Sequence, residues 1–440
     1  MYASETNAAS IPDGGKEAYI VLFGSFMGLI ADFGIANSMG AIESYISTHQ
    51  LILDKNVNVS WIFSLHLGVM YFGGVFFGEL FDRYGAKRPL MAGTVLLCCG
   101  LFATAESRTL YQFILSFSIL TALGTSVCMS PLIGVLSHWF LKKRAMACSI
   151  ATIGGLVGAS CFSILLQQLY TKVGYKWAIR VLAFICLFCM GIAVLLVKER
   201  AKEKKSVSDQ EAHGDINSQI SDVFTQGNVL KTSLNFLKGA LDFTILKDSR
   251  FVLLTLAVWL AELISMSSLT YLSSYALNFG LSNSNAYLLI TIVNVCGIPS
   301  RLVSGILADK YGRFNVMIGT SVLTTIVIFG LWLPAKGSVG LLFAFAALFG
   351  ISTSAVISLI PACTGQICSS NNFGKVYGTL YFLLGFLTML GMYFASLVIS
   401  HGTLINYRNF VLYEGALAVS SGIIWTLARY SAIGWKLAKF

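Results

Sequence analysis

The chain contains twelve runs of mostly apolar residues, near 18–45, 59–81, 89–106, 110–139, 145–170, 177–197, 251–278, 284–308, 314–334, 338–366, 374–400 and 408–430. A helix of about 20 such residues crosses roughly 30 Å of hydrocarbon. A run of that length belongs either in a large soluble core or in a bilayer, and composition decides between them. Only 11% of the residues are charged and 56% are hydrophobic, whereas a soluble domain carries about a quarter charged residues. Too little polar surface exists to face water, so most of the exterior must face lipid. Backbone groups in lipid have no water to bond, and segments of this kind satisfy them as helices. The expected fold class is therefore an all-α membrane protein with twelve transmembrane helices. The first run outlasts a signal-peptide core and has no small-residue cleavage site after it, so it reads as a retained span.

The net charge of +10 does not point to nucleic acid, because the cations sit in short clusters between apolar runs. That pattern is a topology signal. Lys16, Lys142, Lys143, Arg144, Lys375 and the cations of two repeated turns fall on one side with the long polar segment 198–250. Both termini and this segment are therefore expected in the cytoplasm. The segment opens on Lys198-Glu199-Arg200 and later places Val229, Leu230, Leu234, Leu237 and Leu241 on one helical side. It reads either as a short helix on the anionic membrane surface or as a disordered linker. The resulting organisation is a tail at 1–17, a six-helix bundle at 18–197, the linker at 198–250, a second bundle at 251–430 and a tail at 431–440. Cys186 and Cys189 have CxxC spacing inside an apolar run, where they read as small apolar filler rather than a metal or redox site. No nucleophile–base pair, metal cluster or phosphate loop stands out, so neither a catalytic residue nor a cofactor is expected and an enzyme is not.

The chain repeats itself. Gly78-Glu79-Leu80-Phe81-Asp82-Arg83-Tyr84-Gly85-Ala86-Lys87-Arg88 follows the second run, and Gly305-Ile306-Leu307-Ala308-Asp309-Lys310-Tyr311-Gly312-Arg313 follows the eighth. Both read G-x-x-x-acid-base-Tyr-Gly. Ser44-Tyr45 recurs as Ser274-Tyr275, Pro131 as Pro361, and Asp32 has Glu262 at the same offset of about 230 positions. The shared register argues for two pseudo-symmetric six-helix bundles facing one another across a central cavity.

On these residues the sequence resembles the major facilitator superfamily, with the first repeated turn similar to its helix 2–3 signature. More narrowly it resembles the monocarboxylate-porter family. Pro12-Asp13-Gly14-Gly15 matches that family's opening motif, without the tryptophans usual after it, and His138-Trp139-Phe140-Leu141-Lys142-Lys143-Arg144-Ala145-Met146-Ala147 is similar to its helix 4–5 junction. Asn294-Val295-Cys296-Gly297-Ile298-Pro299-Ser300-Arg301 is similar to the fungal branch, nearest its riboflavin-transporting members in yeasts. The resemblance implies a secondary active or facilitative carrier working by alternating access, with a riboflavin-like compound or a monocarboxylate as cargo and protons as a possible second partner. Two departures bear on coupling. Animal proton–lactate carriers of the family have a lysine where Asn37 stands and an aspartate where Gly297 stands. A non-transporting membrane sensor on the same scaffold is the alternative.

Arg301 is the most informative position. Its guanidinium stays charged, and a charge near mid-membrane costs from about 2.5 to more than 10 kcal/mol. It should face the cavity and grip an anionic substrate, or else form a structural ion pair. Asp32 and Glu262 are the acids read as buried, available to neutralise Arg301 or to carry a proton. Asn37, Asn294 and Tyr275 complete the candidate substrate set, with Tyr45, Tyr71, Tyr271 and Tyr381 as further ring surfaces. Glu43 is expected to be solvated, and His66 to pack. Gly78, Asp82, Arg83, Gly85, Lys87 and Arg88, with Gly305, Asp309, Lys310, Gly312 and Arg313, form the candidate gating set, in which Asp82 can face a helix N-terminus. Asp82→Asn should slow transport while leaving membrane insertion intact; unchanged flux would remove the latch role.

Overall fold

The computed structural model describes residues 14–51, 56–140, 144–199, 241, 243–368 and 373–434. Twelve long helices account for most of these, and no strand occurs among the described residues. In the first half they are α1 (Lys16–Asn37, carried on by Met39–Tyr45), α2 (Asn56–Tyr84), α3 (Lys87–Glu106), α4 (Leu110–Gly134), α5 (Arg144–Lys172) and α6 (Gly174–Leu196). In the second half they are α7 (Ser249–Asn278), α8 (Asn283–Tyr311), α9 (Arg313–Ala335), α10 (Val339–Ile367), α11 (Phe373–Ile399) and α12 (Leu404–Ile433). Among the described residues, eleven are long and apolar enough to span a bilayer, and in α2 the apolar portion is Val59–Gly74. The leucines at 229–237 and both extreme tails lie outside the described residues.

The expected duplication is visible in the backbone. Gly85 and Gly312 end the two repeated turns with φ of 79° and 95°, a left-handed conformation that a side chain would strain. Pro131, Pro299 and Pro361 sit inside α4, α8 and α10. Each removes one helical hydrogen bond, which a membrane helix tolerates where neighbours re-satisfy the backbone.

Small residues set the helix spacing, as is usual where no hydrophobic effect drives helices together in lipid. Within the first half, α5 lies directly on α1: a Cβ on Gly154 would strike the Phe26 carbonyl, and one on Gly158 the Ile30 carbonyl. Within the second, a Cβ on Gly350 of α10 would strike the Val293 carbonyl of α8.

The halves meet along two seams. α2 runs against α11, where Gly68 and Gly385 bring the backbones close and Phe72 packs on Phe382 and Phe386 at 4.9 and 5.3 Å. α5 runs against α8, and the end of α1 crosses α7. At that last crossing Gly40 lies on the Leu269 and Thr270 carbonyls. Ser44 Oγ donates to Tyr287 Oη at 3.3 Å, and Ser274 Oγ donates to the Glu43 carboxylate. The repeated serines of the two copies thus meet at one place.

Gly158→Ala should lower thermal stability by about 1–3 kcal/mol, the usual cost of overpacking a tight contact. A melting curve of the purified protein checks this, and an unchanged midpoint would show that α1 and α5 can separate freely.

Candidate functional site

Arg301 stands on α8, 2% exposed. Its Nε donates to the Ser354 carbonyl of α10 at 3.1 Å and its Nη1 to the Thr152 carbonyl of α5 at 3.0 Å. Thr152 belongs to the first half and Ser354 to the second, so one side chain ties both together. Among the described residues Arg301 makes no ion pair. Backbone carbonyls supply partial negative charge without cancelling the cation, and charged hydrogen bonds of this kind are worth about 1.5–3 kcal/mol each. The structural ion pair considered for this residue is therefore absent among the described residues.

Arg301 borders a cavity of about 30 Å³ between the halves. Asn37 and Leu156 come to it from the first half, Asn294, Gly297 and Ser354 from the second. Asn294 Nδ2 donates to the Ile290 carbonyl at 2.8 Å, while its buried Oδ1 and the buried Ser354 hydroxyl have no partner among the described residues. An arginine fork, a free amide oxygen and a free hydroxyl thus converge on one space. Gly297 leaves no slack there, since an added Cβ would stand 3.2 Å from Ser354 Cβ and 3.3 Å from Leu156. The space itself has room for no more than a few waters, each needing about 10–15 Å³ of such volume.

Three residues of the expected substrate set stand elsewhere. Glu262 on α7 is buried and accepts from Tyr71 Oη of α2 at 3.3 Å; it lies near enough to feel the Arg301 charge but forms no ion pair with it among the described residues. Tyr71 in turn meets the Tyr381 ring edge-on at 5.8 Å. Asp32 is fully buried within the first half, near Cys128 of α4 and Cys186 of α6, and neither of its carboxyl oxygens has a hydrogen-bond partner among the described residues. It neutralises nothing at Arg301, because the α1 face that carries it points into its own bundle. Tyr275 packs on Phe279 and Trp332 and borders a different cavity, of about 210 Å³, with Lys336 and Arg408.

Two acids depart from the sequence reading. Glu43, expected in water, is 5% exposed and sits in the seam between α1 and α7. Glu414 of α12 was missed; it is fully buried and accepts from Ser267 Oγ at 2.6 Å and Ser268 Oγ at 3.5 Å. Its place inside an apolar run is the signal that could have found it. His66 packs as expected, stacked on Phe117 with Nδ1 2.8 Å from that residue's carbonyl.

Of the gating set, the side chains of Asp82, Arg83 and Asp309 lie outside the described ones, and Gly78 is described only as part of α2. Gly85 lies against the Glu199 carboxylate at the end of α6. Lys87, Arg88 and Lys310 are exposed, the last over the Tyr311 ring at 5.2 Å. Gly305 has open space where a Cβ would be. Arg313 reaches from α9 to the Ala362 carbonyl of α10 at 2.9 Å.

Arg301→Met removes a buried charge that forms no ion pair among the described residues. Keeping an uncompensated ion out of water is costly, so the melting temperature should hold or rise. A fall would mean that the bonds to Thr152 and Ser354 outweigh the desolvation they offset.

Comparison with known proteins agrees with this architecture. The family model described as Major Facilitator Superfamily matches residues 21–335 and 254–437. The riboflavin transporter MCH5 of Saccharomyces cerevisiae is 36% identical over 444 residues, covering 99% of this chain and 82% of that protein. The aspyridones efflux protein apdF of Emericella nidulans is 30% identical over 360 residues, covering 81% of this chain and 67% of that protein. Among solved structures, the peptide transporter POT in complex with sulfate superposes with a TM-score of 0.71 at 15% identity, covering 100% of this chain and 100% of that one. By sequence and by fold, the chain belongs to the major facilitator superfamily.

Proposed function

We propose that this chain, a membrane transporter of small organic compounds, carries a riboflavin-like planar metabolite between its two halves, at Arg301, Asn294 and Asn37. The single observation behind this is a guanidinium that forms no ion pair among the described residues, bordering the space between the halves beside a buried amide oxygen with no partner among them. The imide edge of an isoalloxazine offers carbonyl, N–H and carbonyl in a row. Arg301 can donate to the carbonyls and Asn294 Oδ1 can accept from the N–H, a complementarity that no apolar pocket would provide. Similarity to a riboflavin transporter supports the same class of cargo.

Ligand pockets typically measure about 300–1,000 Å³, and this cavity is roughly a tenth of the lower bound. Cargo therefore enters only when the halves part, which is the alternating-access cycle. Residues 18–197 and 251–430 act as the two moving bodies. The turns at Gly85 and Gly312, with Arg313 on the α10 backbone, hold the end of the bundle away from Glu43. The asymmetry of Lys and Arg supports both termini in the cytoplasm; the plasma membrane is the proposed site, with the vacuolar membrane as the alternative.

A second reading rests on the same uncompensated cation, which favours an anion: a monocarboxylate would place its two oxygens on the Arg301 fork. Labelled riboflavin and labelled lactate, offered to cells expressing the protein with and without an uncoupler, separate the two. Riboflavin uptake that falls at least tenfold in Arg301→Met, at equal surface protein, is the expected result; tenfold corresponds to about 1.4 kcal/mol of lost binding. Acid-driven lactate flux would select the second reading, and movement of neither would favour a sensor.

A further inference from the structure

We propose that Glu43 is a proton-binding site that operates the seam between α1 and α7, so that closing this end of the bundle takes up one proton and opening it releases one. The inference rests on the reading of the chain as a carrier whose halves part, and it names the ion linked to that motion.

Glu43 sits where the two halves touch. Its carboxyl receives the Ser274 hydroxyl from the opposite half, and the Ser47 hydroxyl faces it from its own. One residue on, Ser44 reaches Tyr287 of α8, and one turn earlier Gly40 rests on the α7 backbone. These contacts seal the seam and exclude water from the carboxyl. The titratable groups facing it are phenols: Tyr271 of α7, Tyr287 of α8 and Tyr407 of α12. Tyr170 of α5 approaches through the stacked ring of Tyr45 at 4.1 Å. Tyr271 also feels a second acid, Glu414 of α12. Among the described residues no lysine, arginine or histidine forms an ion pair with Glu43. The one histidine on its segment, His49, is exposed and stacks on Tyr45 with Nδ1 2.8 Å from Thr48 Oγ1.

A carboxylate buried among hydroxyls with no cation is strongly disfavoured, and such a group stays buried as the neutral acid. When α1 and α7 separate, water reaches the carboxyl, hydration favours the anion, and the proton leaves to the solution at that end. Closing reverses the step. No other species is consumed, and charge balances with the single proton. The closed state holds one proton more than the open one, so raising pH above the range of a hydrated carboxyl favours opening, by up to about tenfold per pH unit.

Hydrogen exchange of the purified protein in lipid nanodiscs, without cargo, tests this. Peptides covering 39–50 and 268–280 are followed at several pH values and corrected for intrinsic rates. Wild-type exchange in both should rise by up to about tenfold per pH unit, while Glu43→Gln, permanently neutral, should stay protected throughout. His49→Gln should behave as wild type. Exchange that ignores pH in the wild type, or a Glu43→Gln variant that still follows pH, would overturn the proposal, as would loss of the response in His49→Gln. Should Glu43→Gln be unstable, Ser274→Ala keeps the acid and weakens only the closed state. Its transition should move to lower pH, and an unmoved transition overturns the proposal too. Because no cargo is present, these outcomes are independent of whether riboflavin moves.

Discussion

Hydrocarbon offers polar groups nothing to bond with, and the design of this molecule follows from how each buried polar group is answered. Main-chain groups are answered by helix formation. Most serine and threonine hydroxyls are answered by a carbonyl one turn back, as Ser267 and Thr270 are on α7. Arg301 is answered differently, by carbonyls on α5 and α10 that belong to opposite halves. That arrangement keeps the cation solvated by protein yet leaves its charge uncancelled. It also makes the central site a mechanical joint, because any motion that parts the halves must break or replace the bond to Thr152.

The same logic sorts the acids. Glu262 and Glu43 each accept a hydrogen bond from the other half, through Tyr71 and Ser274 respectively. Glu414 is held within its own half by two serines, and Asp32 by no hydrogen bond among the described residues. If the halves part as proposed, the acids that bridge them change surroundings and those confined to one bundle do not. Position relative to the seam, more than burial, then sorts the acids.

Much of this was legible in the chain. Run lengths and the scarcity of charge were enough for a helical membrane bundle, and observed helices such as Gly174–Leu196 and Leu404–Ile433 overlap the apolar runs 177–197 and 408–430. The repeat at Gly85 and Gly312 marked backbone positions where only glycine is comfortable. Periodicity could not say which side of α1 meets the other half. Asn37 and Asp32 lie little more than one turn apart, yet one borders the central cavity and the other points into its own bundle. Likewise Glu43 lay near a run's end, where solvent is the ordinary expectation; only the crossing of α1 with α7, brought close by Gly40, buries it. The carbonyl partners of Arg301 were unreadable because every residue has a carbonyl.

The smallness of the void beside Arg301 has a thermodynamic consequence. On the proposed site, a visitor must wedge the lobes apart before touching the groups around Arg301, so part of its interaction energy goes into separating them. Apparent affinity is then weaker than intrinsic affinity by the fraction of molecules already ajar. For a ferry this is useful: a passenger held loosely on net can disembark, and a dock that clicks shut when vacant gives ions and water no corridor through the membrane.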